Sequence, residues 1–210
     1  MTWQECVRSS RFLLSLLLSI IGLIIFILIL PDFFNDVIHH RPGVPLNDYV
    51  LNWLPPVDWS IEIFVLIFGI PALFYLFNFK NPVAVLMSLQ CYVIVNFMRL
   101  ITIYLFTLEA PEGLIPLTDP FLAKVAYGGN AVFVKDLFFS GHTSTLFIIF
   151  LIEQNKSRKY ILLISTILVG LLLVWQHVHY SIDIAGAIFV SWLVFLAFKF
   201  LNKRSGLKLS

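Results

Sequence analysis

Two short stretches carry the side chains with the most chemical capacity, Ser140-Gly141-His142-Thr143-Ser144 and Gln176-His177-Val178-His179-Tyr180-Ser181-Ile182-Asp183. In the first, Ser140 has the right side chain to cap a helix, and Gly141 lets another group approach the backbone closely. The free amides and positive end of such a helix would face an anion, and a phosphate fits there. A histidine in that first turn can give a proton or a hydrogen bond to a phosphate oxygen or a leaving group near neutral pH. The plainer alternative is a polar helix start at the membrane interface, with His142 as a cap.

In the second stretch a helix starting near Val178 puts His179 and Asp183 on one face, four residues apart. A carboxylate so placed can hold one imidazole N–H, fix the tautomer and leave the other nitrogen as a nucleophile. The same pair also suits a plain interfacial hydrogen bond. A metal site is disfavoured, since no third ligand falls at helical spacing, and no cofactor is expected. Arg99 is the third notable group, because an ionisable residue inside an apolar run is a functional hypothesis by default. Its alternative is a side chain snorkelling from a helix end.

The elements that must position these groups are membrane helices. Of 210 residues 60% are apolar and only 12% charged, which excludes an ordinary soluble domain. Nothing points to nucleic-acid binding, and Cys6 and Cys91 suggest neither a disulfide framework nor a zinc site. Apolar stretches long enough for about 30 Å of hydrocarbon run near 12 to 30, 60 to 78, 83 to 107, 138 to 153, 160 to 176 and 179 to 201. The expected fold is therefore an all-α integral membrane protein with six transmembrane helices. The first reads as an uncleaved signal-anchor, because Leu30-Pro31-Asp32-Phe33 is no cleavage site. Gly69-Ile70-Pro71 predicts a kink in the second, and Asn81-Pro82 a capped start to the third.

Charge sets the expected orientation. Arg8, Arg11, Lys80, the run Lys156-Ser157-Arg158-Lys159, and Lys199, Lys203, Arg204 and Lys208 fall on one side, which makes that side, with both termini, cytoplasmic. The connections near 31 to 59 and 108 to 137 hold Asp32, Asp36, Asp48, Asp58, Glu109, Glu112, Asp119 and Asp136 against Arg41, Lys124 and Lys135, and so lie outside. Residues 1–210 form a single membrane domain, with no internal repeat. Ser140 to Gln154 would give a helix of only about 22 Å and Tyr160 to Gln176 one of roughly 25 Å. Their outer ends then stop below the hydrocarbon edge, placing the histidines at headgroup depth. His39, His40 and Arg41 either line that site or sit at the lipid surface. Trp53, Trp59, Trp175 and Tyr180 read as an interfacial belt.

Three segments resemble the sphingomyelin synthase branch of the lipid phosphatase/phosphotransferase (type 2 phosphatidic acid phosphatase-like) superfamily. Arg99, Thr102 and Tyr104, followed by Leu108 and Pro111, are similar to its Arg-x-x-Thr-x-Tyr segment ending in Leu-x-x-Pro. Asp136 to Thr143 resembles Asp-x-x-Phe-Ser-Gly-His-Thr, and His177 to Asp183 resembles His-x-His-Tyr-Thr-Ile-Asp. The similarity covers about residues 92 to 200. It implies six helices, an exoplasmic active site, and catalysis by His179, Asp183 and His142. His179 would attack the lipid phosphorus, Asp183 orient it, and His142 protonate the departing alkoxide and later accept the proton of the incoming hydroxyl.

Arg99 and Lys135 are the available cations for the phosphate, although Lys135 stands where the synthases usually have glycine; Tyr104, Ser140, Gly141, Thr143 and His177 would frame it, and Asp136 would hold His142 or an acceptor hydroxyl. The donor would be a membrane phospholipid and the acceptor diacylglycerol, ceramide or water, in what is expected to be a bacterial plasma membrane. The wider superfamily's Lys-x6-Arg-Pro segment is absent, and Leu173-Val174 occupy its Ser-Arg position. Those cations grip a doubly charged phosphomonoester, so their loss favours a singly charged diester and headgroup transfer. A lipid phosphatase and a non-catalytic lipid-binding protein remain as alternatives.

Overall fold

The computed structural model describes residues 2–117, 135–204 and 206. Asp119, Lys124 and Lys208, used above for orientation, lie outside the described residues. A short α1 (Trp3–Cys6) precedes α2 (Ser10–Asp32), which runs on through a π-helical turn (Phe33–Ile38). After a loop with one 3-10 turn (Leu51–Trp53) come α3 (Ser60–Asn78) and α4 (Pro82–Leu105). The last three helices are α5 (Gly141–Ile152), α6 (Lys156–Trp175) and α7 (Ser181–Arg204). Among the described residues there is no strand, only a lone parallel bridge between Val44 and Leu108.

Among the described residues, five helices are long and apolar enough to cross a membrane: Ser10–Ile38, α3, α4, α6 and α7. The expected sixth, α5, has only 12 residues, about 18 Å, and does not reach spanning length by itself. Its length is set by Glu153, which leaves helical geometry at the C-cap. The Glu153 carboxylate accepts from the amides of Gln154 and Asn155, from Asn78 Nδ2 and from both Nε and Nη2 of Arg158. Asn155 then caps α6. The fifth apolar run is therefore longer than its sequence suggests: α6 begins at Lys156, not Tyr160, because the basic run forms its first turn. At 20 residues it is about 30 Å long, which corrects the expectation of a second short helix.

Helix α3 occupies the expected residues and continues through Pro71. Asn81 accepts from the Ala84 amide with Pro82 in the first turn, as Asn-Pro predicts. Helix α4 is the axis of the bundle, packing on α2, α3, α5 and α7. Of its most apolar stretch 61% is buried, against 11% for α2, so α2 lies on the outside with most of its surface toward lipid. The main core draws Cys91 and Val95 of α4, Leu146 and Ile149 of α5, Val169 and Leu173 of α6, and Ala187 of α7. Connections of three residues between α3 and α4 and between α5 and α6 make these pairs antiparallel neighbours. The start of α5, the end of α6 and the start of α7 consequently meet at one end of the bundle.

Candidate active site

Helix α7 starts at Ser181 and not near Val178, because a turn with His177 at φ 58° separates it from α6. His179 is therefore outside the helix, and the expectation that His179 and Asp183 share a helical face is corrected. They meet another way: Asp183, in the first turn, reaches back over the end of the helix. Its Oδ2 lies 3.0 Å from His179 Nδ1 and accepts from the Tyr180 amide at 3.1 Å. Its Oδ1 accepts from the Phe138 amide at 3.2 Å, and its carbonyl from the Ser140 amide at 3.2 Å. One buried residue thus ties the 138–140 turn to the His179 turn. An acceptor at Nδ1 directs the ring proton there and leaves the Nε2 lone pair for other use.

The turn leading into α5 is held from α4. Thr102 Oγ1 donates to the Phe138 carbonyl at 2.9 Å. The buried Arg99 donates from Nε to the Phe139 carbonyl (2.9 Å), from Nη1 to Asn96 Oδ1 (3.2 Å) and from Nη2 to Asp136 Oδ1 (2.5 Å). Its guanidinium is thus turned inward to backbone and carboxylate instead of snorkelling. It also lies against Gly141, where a Cβ would sit 2.5 Å from Nη1 and 2.7 Å from Cζ. Gly141→Ala is therefore expected to push the guanidinium off its three acceptors, lowering turnover at least about 10-fold, because small displacements of a reacting geometry cost large factors in rate. Steady-state kinetics of the purified variant would check this, and wild-type turnover would show that the contact is dispensable.

Within the Ser-Gly-His-Thr stretch the structure separates roles. Ser140 is fully buried and caps α5 by accepting from the Thr143 amide at 3.3 Å. Thr143 is fully buried as well, with its hydroxyl toward Gly170 of α6. Gly141 and His142, between them, are half-buried.

The other residues singled out lie further round the same end. Tyr104 is half exposed on α4; the Arg41 guanidinium sits 4.2 Å over its ring, and Arg41 Nη1 donates to its carbonyl at 2.7 Å. Lys135 Nζ contacts Glu109 Oε2 at 3.1 Å and donates to the Arg41 carbonyl at 3.0 Å. Each cation read from the motifs therefore has a carboxylate partner, Asp136 for Arg99 and Glu109 for Lys135. His39 and His40 are exposed, with their rings packed edge to face.

His177 is committed to the fold. It ends α6 in the left-handed region at φ 58°, a conformation costing roughly 1–2 kcal/mol for a residue with a Cβ. Its ring offsets part of this: Nδ1 lies 2.7 Å from the Glu112 carbonyl and Nε2 2.9 Å from the Leu54 carbonyl, so that it bridges the two loops at this end of the bundle. Tyr180 also departs from expectation: it is buried, and its hydroxyl accepts from the Leu46 amide (3.3 Å) and donates to the Glu109 carbonyl (3.1 Å). Burial pushes its phenol up from the ordinary range, which keeps that donor. It is an internal post, and not part of an interfacial belt.

Asp48 was not singled out by sequence. Its Oδ2 accepts from the Ser181 amide at 2.6 Å and from the Ser181 hydroxyl at 2.7 Å. Burial pushes its carboxyl up, but the Ser181 hydroxyl and amide, with the amides of Val50 and Leu51, outweigh that and hold it below the usual carboxylate range. An acid in a long loop carries no local signal of such a contact.

No curated protein matches the chain. Over residues 135–200, from the turn before α5 into α7 and including His142, His179 and Asp183, the chain matches the family model described as PAP2 superfamily C-terminal.

Proposed function

We propose that this protein is a lipid headgroup phosphotransferase that works through a phosphohistidine. The observation that carries the reading is the buried His179–Asp183 pair, hydrogen-bonded at 3.0 Å and tied through Asp183 to the turn that presents Gly141 and His142. The match to the PAP2 superfamily supports a phosphoester reaction. In the proposed course His179 Nε2 attacks the lipid phosphorus, the bond from phosphorus to the lipid alkoxide breaks, and the alkoxide takes a proton from His142. His142 then removes the proton of an acceptor hydroxyl, whose oxygen attacks phosphorus, and the P–N bond breaks to restore His179.

The carboxylate partners of Arg99 and Lys135 favour a singly charged diester over a phosphomonoester, because a dianion needs cations not already neutralised. A lipid alcohol such as diacylglycerol or ceramide would then be the acceptor. In the proposed topology α5 completes six membrane helices, both termini are cytoplasmic, and the site opens to the exoplasmic side. The ends opposite the site carry Lys80, the Lys156 to Lys159 turn and Lys203–Arg204, which supports that orientation.

Mass spectrometry of products from mixed phospholipids, diacylglycerol and ceramide tests the proposal. A headgroup on a new lipid, absent with His179→Ala, is the expected result. Free headgroup phosphate or inorganic phosphate without a new lipid would replace the transferase with a phosphatase.

A further inference from the structure

We infer that the loop between α2 and α3 is a working part of the site, and that Asp48 is a positioning residue that sets the His179–Asp183 pair through Ser181. The inference rests on the reading of His179 as nucleophile and concerns what holds it in place.

Helix α7 opens without a capping side chain of its own, since Tyr180 precedes it. Two carboxylates stand in. Asp183 takes the Tyr180 amide from within the first turn, and Asp48 takes the amide and hydroxyl of Ser181 from a loop 133 residues earlier. Asp183 can address both its own N-terminal backbone and His179 only while that first turn keeps its rotation. Two short bonds to one carboxylate oxygen fix the residue on which the rotation depends.

Asp48 is itself held. Its Oδ1 accepts from the Val50 amide at 2.9 Å, an Asx turn that orients the carboxylate before it meets Ser181. Two residues earlier the Leu46 amide donates to the Tyr180 hydroxyl, so the loop grips both Tyr180 and Ser181, the residues that follow His179. Upstream, the loop lies backbone against backbone on the strip after α4. The Val44 amide donates to the Thr107 carbonyl at 3.0 Å and the Glu109 amide to the Val44 carbonyl at 3.1 Å. Gly43 permits that approach, since a Cβ there would come within 2.5 Å of the Glu109 nitrogen. The loop therefore joins the end of α4 to the start of α7 along a fixed path.

Such a residue should affect the chemical step more than substrate binding. Asp48→Ala is expected to lower kcat about 100-fold while donor KM changes less than about twofold, the scale associated with a misplacement of about 1 Å. Asp48→Asn keeps one oxygen able to accept from both Ser181 groups but sets its NH2 against the Val50 amide, so it should restore kcat in part, to within about 10-fold of wild type. Ser181→Ala should fall between, and Asp48→Ala with Ser181→Ala should be no worse than Asp48→Ala alone, because both act through one contact.

The experiment is headgroup-transfer kinetics on these variants and on His179→Ala, with thermal unfolding of each in detergent. The inference stands if kcat falls in Asp48→Ala, returns in part in Asp48→Asn, and melting temperature does not follow kcat. It is overturned if Asp48→Ala turns over at the wild-type rate, or if the loss tracks melting temperature and asparagine gives no rescue. Should Asp48→Ala fail to fold, wild-type kcat in Ser181→Ala overturns it equally. Activity surviving in His179→Ala would instead overturn the nucleophile reading, whatever Asp48 does.

Discussion

With alanine in place of His179, turnover should fall at least about 10³-fold, while the protein remains folded, because the proposed mechanism loses its attacking atom. Asp183→Asn should lose a comparable factor, about 10³–10⁴-fold in kcat, for a different reason. The buried carboxylate takes three N–H groups, from His179, Tyr180 and Phe138. A carboxamide whose oxygen keeps the Phe138 amide turns its NH2 toward the Tyr180 amide, from which it cannot accept, and toward His179 Nδ1. That nitrogen must then accept, and the ring proton moves to Nε2, where the lone pair is needed. Single-turnover labelling with a phospholipid carrying radioactive phosphorus separates the two: neither variant should accumulate phosphoenzyme, and donor binding should persist in Asp183→Asn. Phosphoenzyme at the wild-type rate in either one would remove the mechanism.

The second large effect is expected at Arg99. Because the guanidinium joins the Phe139 carbonyl, Asn96 and Asp136, its removal strands a buried carbonyl and a carboxylate. Breaking one side of a fully buried ion pair typically costs 3–5 kcal/mol, but the Asp136 side chain is 32% exposed and can be hydrated when left alone, so Arg99→Ala should lose less, about 2 kcal/mol, along with its activity. Arg99→Lys should rescue little, since an ammonium cannot reproduce the planar fork that addresses three acceptors at once. Thermal unfolding in detergent beside donor kinetics tests this. A normal melting temperature with a raised donor KM would mean that Arg99 holds phosphate instead of the turn.

Much of the site was legible in the sequence because its parts are local. The spacing of His179 and Asp183 foretold their contact, although by way of a helix that starts later than the apolar pattern implies. Periodicity cannot see the turn at His177 that separates α7 from α6, nor the two carboxylates that meet the start of α7. Ser140 as a cap and Asn81-Pro82 as a helix start were readable because each depends on neighbours within a turn. The start of α6 was obscured for a physical reason: Lys and Arg are good helix formers, so a charged run beside Asn155 propagates the helix that it looks set to end. The length of α5 depends on a Glu153 carboxylate linked to Asn78 of α3. The inward turn of Arg99 and the reach of Asp48 are likewise contacts between distant segments, fixed by how helices meet and not by any short pattern.

The end of the bundle that carries the candidate site is sewn largely to main-chain oxygen. His177 holds the carbonyls of Leu54 and Glu112, Tyr180 that of Glu109, Arg41 that of Tyr104, Lys135 that of Arg41, and Gln176 that of Ile115. A carbonyl is present whatever side chain stands beside it. Substitution at Leu54, Glu112 or Ile115 therefore leaves these stitches in place, and the loops can drift in composition, trading one polar contact for another, while the frame of the candidate site keeps its shape.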